Sequence, residues 1–188
     1  MKKMSAVKRS IIAAACIALC VVLPQAFHAI PEAGVIYCPM HIPVLLCGLI
    51  AGWQYGLLCG LAGPLLSSLI TGMPPAAILP AMMVECASYG VLTGVMMQLV
   101  RTKKVYADLY ISLVVAMLGG RVVAGLAKAF IFSAGQYTMA AWVAGSFVKS
   151  LPGIIVHLAV IPSVVYALMR AKLIPCPFGA SRSWDRWK

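Results

Sequence analysis

Residues 42–72 read IPVLLCGLIAGWQYGLLCGLAGPLLSSLITG, and this stretch decides the fold. It contains no charged side chain. Because a membrane-spanning helix needs about 20 apolar residues, the stretch is too long for one simple span. Residues 51–56 (AGWQYG) interrupt it with two glycines and a glutamine. We therefore predict a short helix over 42–52 and a second helix over 55–71.

Apolar runs of similar length lie on both sides of this stretch. They predict helices over 6–29, 80–100, 107–132 and 145–169, separated by prolines and by a basic group at 101–104. The 188 residues are 63% hydrophobic and only 10% charged, whereas soluble domains carry about 25% charged residues. The mean hydropathy is +0.99. We predict an all-α integral membrane protein, with one six-helix domain over 1–172 and a basic cytoplasmic tail over 173–188.

The basic residues predict the orientation of this bundle. The formal net charge is +11, and most of the Lys and Arg side chains fall in short groups near the N-terminus, at 101–104 and from Arg170 onward. The loops 31–40, 71–79 and 133–141 contain neither Lys nor Arg. Six spans place all three basic groups on one side, so the positive-inside rule predicts that both termini are cytoplasmic. A signal peptide is the alternative for the first run, but no small-x-small cleavage site follows at the right distance.

The sequence contains no enzyme motif. HExxH, GxSxG and Walker A patterns are missing, and four acidic residues are few for acid–base chemistry or metal ligation. Five of the seven cysteines lie within apolar runs, where thiols behave as small hydrophobic groups. We see neither a disulfide framework nor a paired CxxC metal site. We therefore predict a protein that is not an enzyme and has no metal or cofactor of its own.

Ionisable side chains cluster beside the outer loops. Such groups are costly in hydrocarbon and usually face the bundle interior or a water-filled cavity. Glu85 and Tyr89 lie one turn apart on one helix face, and Arg121 shares a face with Lys128 on the next helix. This placement predicts a polar pocket open to the outside. Its candidate substrate-binding residues are His41, Tyr37, Met73, Glu85, Tyr89, Arg121, Lys128 and Lys149.

Several of these residues also have a purely structural interpretation. Glu85, taken as the only acidic group in the bilayer region, could pair with Arg121 and hold two helices together. Lys128 and Lys149 could extend to the outer interface. His157 lies deeper, and we interpret it as a packing residue rather than a ligand-binding one. The remaining polar and aromatic groups are also compatible with a helix start or an interfacial belt: His41, Tyr37, Tyr89, Tyr137 and Trp142.

Small residues form stripes on three of the helices. Ala14 and Ala18, with Ser10 one turn before, let another helix approach closely, either within the bundle or from another subunit. Glycines form similar faces in the third and fifth predicted helices, and we predict that they serve internal packing: Gly56, Gly60 and Gly63, then Gly119, Gly120 and Gly125.

The order of several short segments resembles the substrate-binding S components of energy-coupling factor (ECF) transporters. These segments are PMHIPVLLCG (39–48), WQYG (53–56), GPLLSSLITGMPP (63–75), ECASYG (85–90), GR (120–121) and PGII (152–155). The resemblance covers nearly the whole chain. It implies a six-helix bundle in a bacterial cell membrane that binds a vitamin or related micronutrient beneath outer loops 1, 3 and 5.

The resemblance also implies partners. These are a transmembrane scaffold subunit, which would contact the Ala14 and Ala18 stripe, and two ATPase subunits that use the ATP. The alternative is a self-contained oligomeric channel or ion-coupled small-molecule carrier, in which the glycine faces would form subunit interfaces. An intramembrane enzyme with Glu85 and His41 or His157 as acid and base would lack a second acidic group.

The sequence leaves the ligand open. Arg121 and the nearby lysines favour a carboxylate or another acceptor, whereas Glu85 would accept hydrogen bonds from an amino-substituted ring. These indications conflict. Folate, pantothenate, pyridoxine or hydroxymethylpyrimidine, and a queuosine precursor are all compatible with them.

Overall fold

The computed structural model describes residues 4–27, 33–100, 102, 104–129 and 142–174, and the regular elements among them are all helical. The all-α fold class is therefore confirmed for this part of the chain. The helices are α1 (Ala6–Ala26), α2 (Ala33–Tyr37), α3 (His41–Ala51), α4 (Trp53–Thr71), α5 (Leu79–Leu99), α6 (Val105–Ala127) and α7 (Leu151–Arg170). A π-helical segment, Ala144–Lys149, comes just before α7.

Five helices, α1 and α4 to α7, are long and apolar enough to cross a membrane. Helix α3 has 11 residues, which span about 16 Å at 1.5 Å per residue. That is about half of the hydrocarbon core of a bilayer. Most residues of α3 are buried, so this helix packs inside the bundle. The structure supports an integral membrane protein with five candidate spans, and a sixth crossing stays a prediction.

Helices α3 and α4 form a tight hairpin around Gly52. Its φ of 97° is a conformation that glycine adopts without steric cost. The Gly52 N–H donates to the Gly48 carbonyl at 3.1 Å and ends α3. A Cβ added to Gly56 would lie 2.9 Å from the Gly48 Cα, so the two backbones touch on either side of the turn. The interruption predicted within 51–56 is thus a single residue.

Successive long helices run antiparallel. On α4 and α5, Gly56 meets Gly90 and Gly60 meets Cys86, so residue numbers rise along one helix as they fall along the other. The same reversal appears along α5 and α6 and along α6 and α7. The pairs are Tyr89 with Gly120 and Met97 with Ser112, then Arg121 with Ser150 and Tyr106 with Tyr166.

The bundle therefore has two distinct ends. We call the end at which α3, α5 and α7 begin the His41 end. Helix α1 also ends there. The ring centroids of Phe27 and Tyr37 are 5.8 Å apart, and the Tyr37 backbone lies against Gly153 of α7. The opposite end, called the basic end, holds the start of α1, the start of α6 and the close of α7. Its basic side chains include Lys8, Arg9, Lys104, Arg170 and Lys172.

Glycines make the closest helix contacts, which confirms their predicted role in internal packing. A Cβ on Gly90 would lie 2.1 Å from the Gly56 carbonyl oxygen, so Gly90→Ala would push two backbones apart. We expect this substitution to lower the free energy of unfolding by about 1–3 kcal/mol, measured by thermal unfolding in detergent. Gly145→Ala is the matched control, because nothing lies within 4 Å of its Cβ position. Equal unfolding temperatures for the two variants would contradict this packing.

Element bounds differ from the predicted ones in a few places. The predicted loop over 31–40 contains the short helix α2. Regular α7 begins at Leu151 rather than at residue 145, with Pro152 in its first turn, where no intrahelical amide donor is needed. Residues 28–32, 130–141 and 175–188 lie outside the described part of the chain, and with them the ends of two predicted helices, one outer loop and most of the tail.

Asp108 in the first turn of α6 is completely buried. Its Oδ1 accepts hydrogen bonds from the Thr102 backbone N–H at 2.8 Å and from the Thr102 hydroxyl at 2.6 Å. Glu85 is therefore not the only acidic side chain inside the bundle. Because Asp108 lies at the basic end and organises the start of α6, it belongs to the scaffold rather than to the candidate site.

Candidate functional site

Tyr89 lies at the centre of a polar cluster at the His41 end. Its side chain is 1% exposed. The ring packs directly on Gly120 of α6, where an added Cβ would lie 2.3 Å from a ring carbon. The His41 ring meets it edge-on, with centroids 4.9 Å apart. Tyr89 thus joins α3, α5 and α6, and glycine at position 120 makes the room for it.

Glu85 pairs with Lys128 rather than with Arg121. Lys128 Nζ lies 3.6 Å from Glu85 Oε2, and the Tyr89 hydroxyl donates to Glu85 Oε1 at 3.1 Å. Of the two interpretations of Lys128, the structure supports a role within the cluster. Both side chains are partly exposed, so the pair adds little stability. Its main effect is to balance the charge of Glu85 and to fix the Tyr89 hydroxyl.

Arg121 is buried, with 4% of its surface exposed. Its Nη2 donates to the Ser150 hydroxyl at 3.1 Å, and its guanidinium carbon lies 5.8 Å from the centre of the Phe147 ring. Within the described ranges no carboxylate lies within ion-pair distance of it. The Arg121 carbonyl accepts from the Trp142 indole N–H at 3.3 Å, so the backbone is held separately from the side chain. The guanidinium is fixed in place, and no described residue balances its positive charge.

Two histidines lie deeper in the cluster. His41 is 4% exposed and His157 is 1% exposed, and their ring centroids are 6.1 Å apart. His157 Nε2 lies 3.2 Å from the Cys38 carbonyl oxygen, which ties α7 to the turn between α2 and α3. Burial raises the pKa of the Cys38 thiol to about 12, so this thiol is uncharged at neutral pH.

A family model described as "ECF transporter, substrate-specific component" matches residues 8–165. The chain belongs to this family. It is therefore the substrate-specific subunit of an ECF transporter, a membrane protein that binds a substrate and works with an ECF module rather than an enzyme. No curated protein and no solved structure matches the sequence significantly.

The S component brings together five of the eight candidate substrate-binding residues. Described contacts connect His41, Glu85, Tyr89 and Lys128 directly. Arg121 is the residue after Gly120, on which the Tyr89 ring packs. Tyr37 is half-buried at the edge of the cluster, where its backbone packs on Gly153. Met73 and Lys149 are exposed, and no described contact joins either side chain to the others.

Sequence reasoning missed several parts of this site. Ser150, Phe147 and the indole of Trp142 surround Arg121, and the Cys38 carbonyl positions His157. His157 and Trp142 were both noted in the sequence, but as a packing residue and as an interfacial aromatic; a histidine within an apolar helix needs polar partners, and this was the usable signal. Among the described residues, no group of three or more His, Cys, Asp or Glu side chains is arranged to hold a metal ion.

Helix α1 of the S component presents its small-residue stripe to the outside. Ala14 and Ala18 are exposed, whereas Ala13, Cys16 and Cys20 on the opposite side are buried against the bundle. The sequence alone was compatible with two packing partners for this stripe, a helix of the same bundle or a helix of another subunit. Its exposure means that the stripe is available to another helix.

Proposed function

We propose that this S component captures a vitamin or related micronutrient from outside the cell at the Tyr89 cluster. The observation that carries the proposal is the guanidinium of Arg121, which is fixed, buried and without a counter-charge among the described residues of an apolar bundle. Isolated buried charges are costly unless something pairs with them. A bound substrate that supplies the missing partner accounts for that cost.

The placement of charges supports capture from outside. The cluster lies at the His41 end, and the grouped basic residues lie at the opposite end. In a bacterial cell membrane the positive-inside rule places that basic end in the cytoplasm. The cluster then opens beside the predicted outer loops 31–40, 71–79 and 133–141.

Delivery is assigned to partner subunits. We propose that a transmembrane scaffold subunit binds the exposed α1 stripe and that two ATPase subunits supply the energy of ATP hydrolysis. The S component then needs no cofactor of its own. Capture and energy coupling are separate activities in this scheme, so they are separable by experiment.

The test is to purify the chain alone in a mild detergent and to analyse it by native mass spectrometry. We expect one small molecule to remain bound in the absence of ATP, and uptake in cells only when the scaffold and ATPase subunits are co-expressed. Transport by the chain alone in vesicles that lack an ATPase would contradict the proposal. That result would support a self-contained channel or ion-coupled carrier instead.

A further inference from the structure

The two buried histidines each carry a ring nitrogen without a partner. His41 Nε2 and His157 Nδ1 are both buried, and neither has a hydrogen-bond partner among the described residues. Leaving a buried polar atom unsatisfied costs about 1–3 kcal/mol. Two such atoms in neighbouring rings, at the centre of one polar cluster, indicate a place where a ligand supplies the missing hydrogen bonds.

The contacts of His157 determine what its free nitrogen does. A backbone carbonyl only accepts, so His157 Nε2 must carry the hydrogen that is donated to the Cys38 oxygen. No described carboxylate lies within ion-pair distance of this buried ring, which favours its neutral form. A neutral ring protonated on Nε2 has a lone pair on Nδ1. His157 Nδ1 is therefore an acceptor, and it requires a donor.

The charges of the cluster set a second requirement. Arg121 and Lys128 contribute two positive charges, and Glu85 contributes one negative charge that Lys128 already pairs with. One positive charge, that of Arg121, stays unbalanced among the described residues. Glu85 already accepts a hydrogen bond from Tyr89 and pairs with Lys128. His157 is therefore a better acceptor than Glu85 for the N–H of an amino-substituted ligand.

We infer that the site selects a small anion that also carries an N–H or O–H donor. Arg121 binds the anionic group, a carboxylate or phosphate, and His157 Nδ1 accepts the hydrogen bond of the donor. This inference rests on the proposed function, since it names the class of substrate that the capture site takes. It assigns His157 to substrate recognition rather than to packing.

The fold also orders the two groups along the ligand. Ser150, which holds Arg121, caps the start of α7, and His157 lies seven residues further along, about two turns into this helix. Two turns correspond to about 10 Å along the axis. Because α7 begins at the His41 end, Arg121 lies nearer the opening of the site and His157 lies deeper. The ligand therefore binds with its donor deep in the site and its anionic group near the opening.

The test uses a defined set of probes with purified wild-type protein in detergent, and ligand-induced thermal stabilisation as the readout. Pantothenate and 4-aminobenzoate are anions with a donor. Benzoate is an anion without one. Panthenol and 4-aminobenzamide are neutral molecules with donors, and thiamin is a cation. We expect at least one of the first two to raise the unfolding temperature, and the other four to have little effect.

His157→Gln then tests the acceptor. The glutamine amide can still donate to the Cys38 carbonyl, but the Nδ1 acceptor is lost. We expect affinity for the stabilising anion to fall about two- to tenfold, with an unchanged unfolding temperature in the absence of probe. Ser163→Ala, on the exposed side of α7, is the control. Unchanged affinity in the His157 variant would overturn its assigned role.

Glu32, which lies outside the described residues, is replaced by Gln to test the charge argument. We expect the preference for anions to stay unchanged. A much stronger preference would mean that Glu32 already balances Arg121, and the inferred need for an anion would be wrong. Stabilisation by panthenol, 4-aminobenzamide or thiamin alone would overturn the anion class and leave capture intact. Stabilisation by none of the probes, with no co-purified small molecule, would count against both the inference and the proposed function.

Discussion

Replacement of Arg121 by alanine is expected to weaken substrate binding about 10- to 100-fold, because a buried charge-assisted hydrogen bond contributes about 1.5–3 kcal/mol. The fold should persist. The Trp142 indole bonds to the Arg121 backbone carbonyl, which alanine retains. The measurement is the dissociation constant of the co-purified substrate, together with the unfolding temperature of the substrate-free protein.

Glu85→Gln is the comparison for this result. Gln keeps an acceptor for the Tyr89 hydroxyl but loses the attraction to Lys128. We expect a smaller loss of affinity than for Arg121→Ala, since that ion pair is partly exposed. If Arg121→Ala and Glu85→Gln both bind as tightly as the wild type, the substrate site lies elsewhere. If Arg121→Ala fails to fold, the dissociation constant is measured for Arg121→Lys instead. This variant retains the positive charge and reports on the same interaction.

The hydropathy of the sequence was sufficient to predict most of the helices. Five long apolar runs became helices long enough to span a membrane, because in a bilayer each backbone amide must be satisfied within its own segment. The hairpin at Gly52 was predictable from its glycines and from the excess length of residues 42–72. The short helix α2 was not, since five residues beside a proline carry little periodic signal.

The identity of the cluster residues was also largely predictable, but their pairing was not. Intramembrane ionisable groups are few, so Glu85, Arg121 and Lys128 stand out in the sequence. Which cation reaches Glu85 depends on the rotation of α6 about its own axis. Tyr89 packs on Gly120, and Glu85, one turn before Tyr89, then faces Lys128. A contact of this kind depends on how two helices dock, and one sequence carries no direct signal for it.

His157 shows the same limit over a longer range. Its partner, the Cys38 carbonyl, is 119 residues away in the sequence. A backbone carbonyl has no residue-type signature, so no motif could have indicated this bond. Once Nε2 is assigned to this bond, Nδ1 is left without a partner among the residues that the structure describes. The interpretation of His157 as a packing residue follows from composition alone, and its role in substrate recognition is our proposal from the hydrogen-bond geometry.

The exposed stripe on α1 leads to the second large expected effect, the loss of uptake when Ala14 and Ala18 are both replaced by leucine. Small residues let two helix backbones approach closely in lipid, where packing is a main source of association. Larger side chains would hold the partner helix away. We expect uptake to fall at least about tenfold in cells that express the full module. Substrate binding by the purified variant should be unchanged, because neither alanine belongs to the Tyr89 cluster.

The comparison that makes this prediction specific is Ala159→Leu on α7. Ala159 is exposed, as Ala14 and Ala18 are, but it lies on a different helix. If leucine on any exposed face disturbed insertion or folding, the Ala159 variant would lose uptake as well. If instead the stripe binds the scaffold subunit, only the α1 variant loses co-purification with the module. Lost substrate binding with intact association in the α1 variant would reverse the assignment and place α1 at the substrate site.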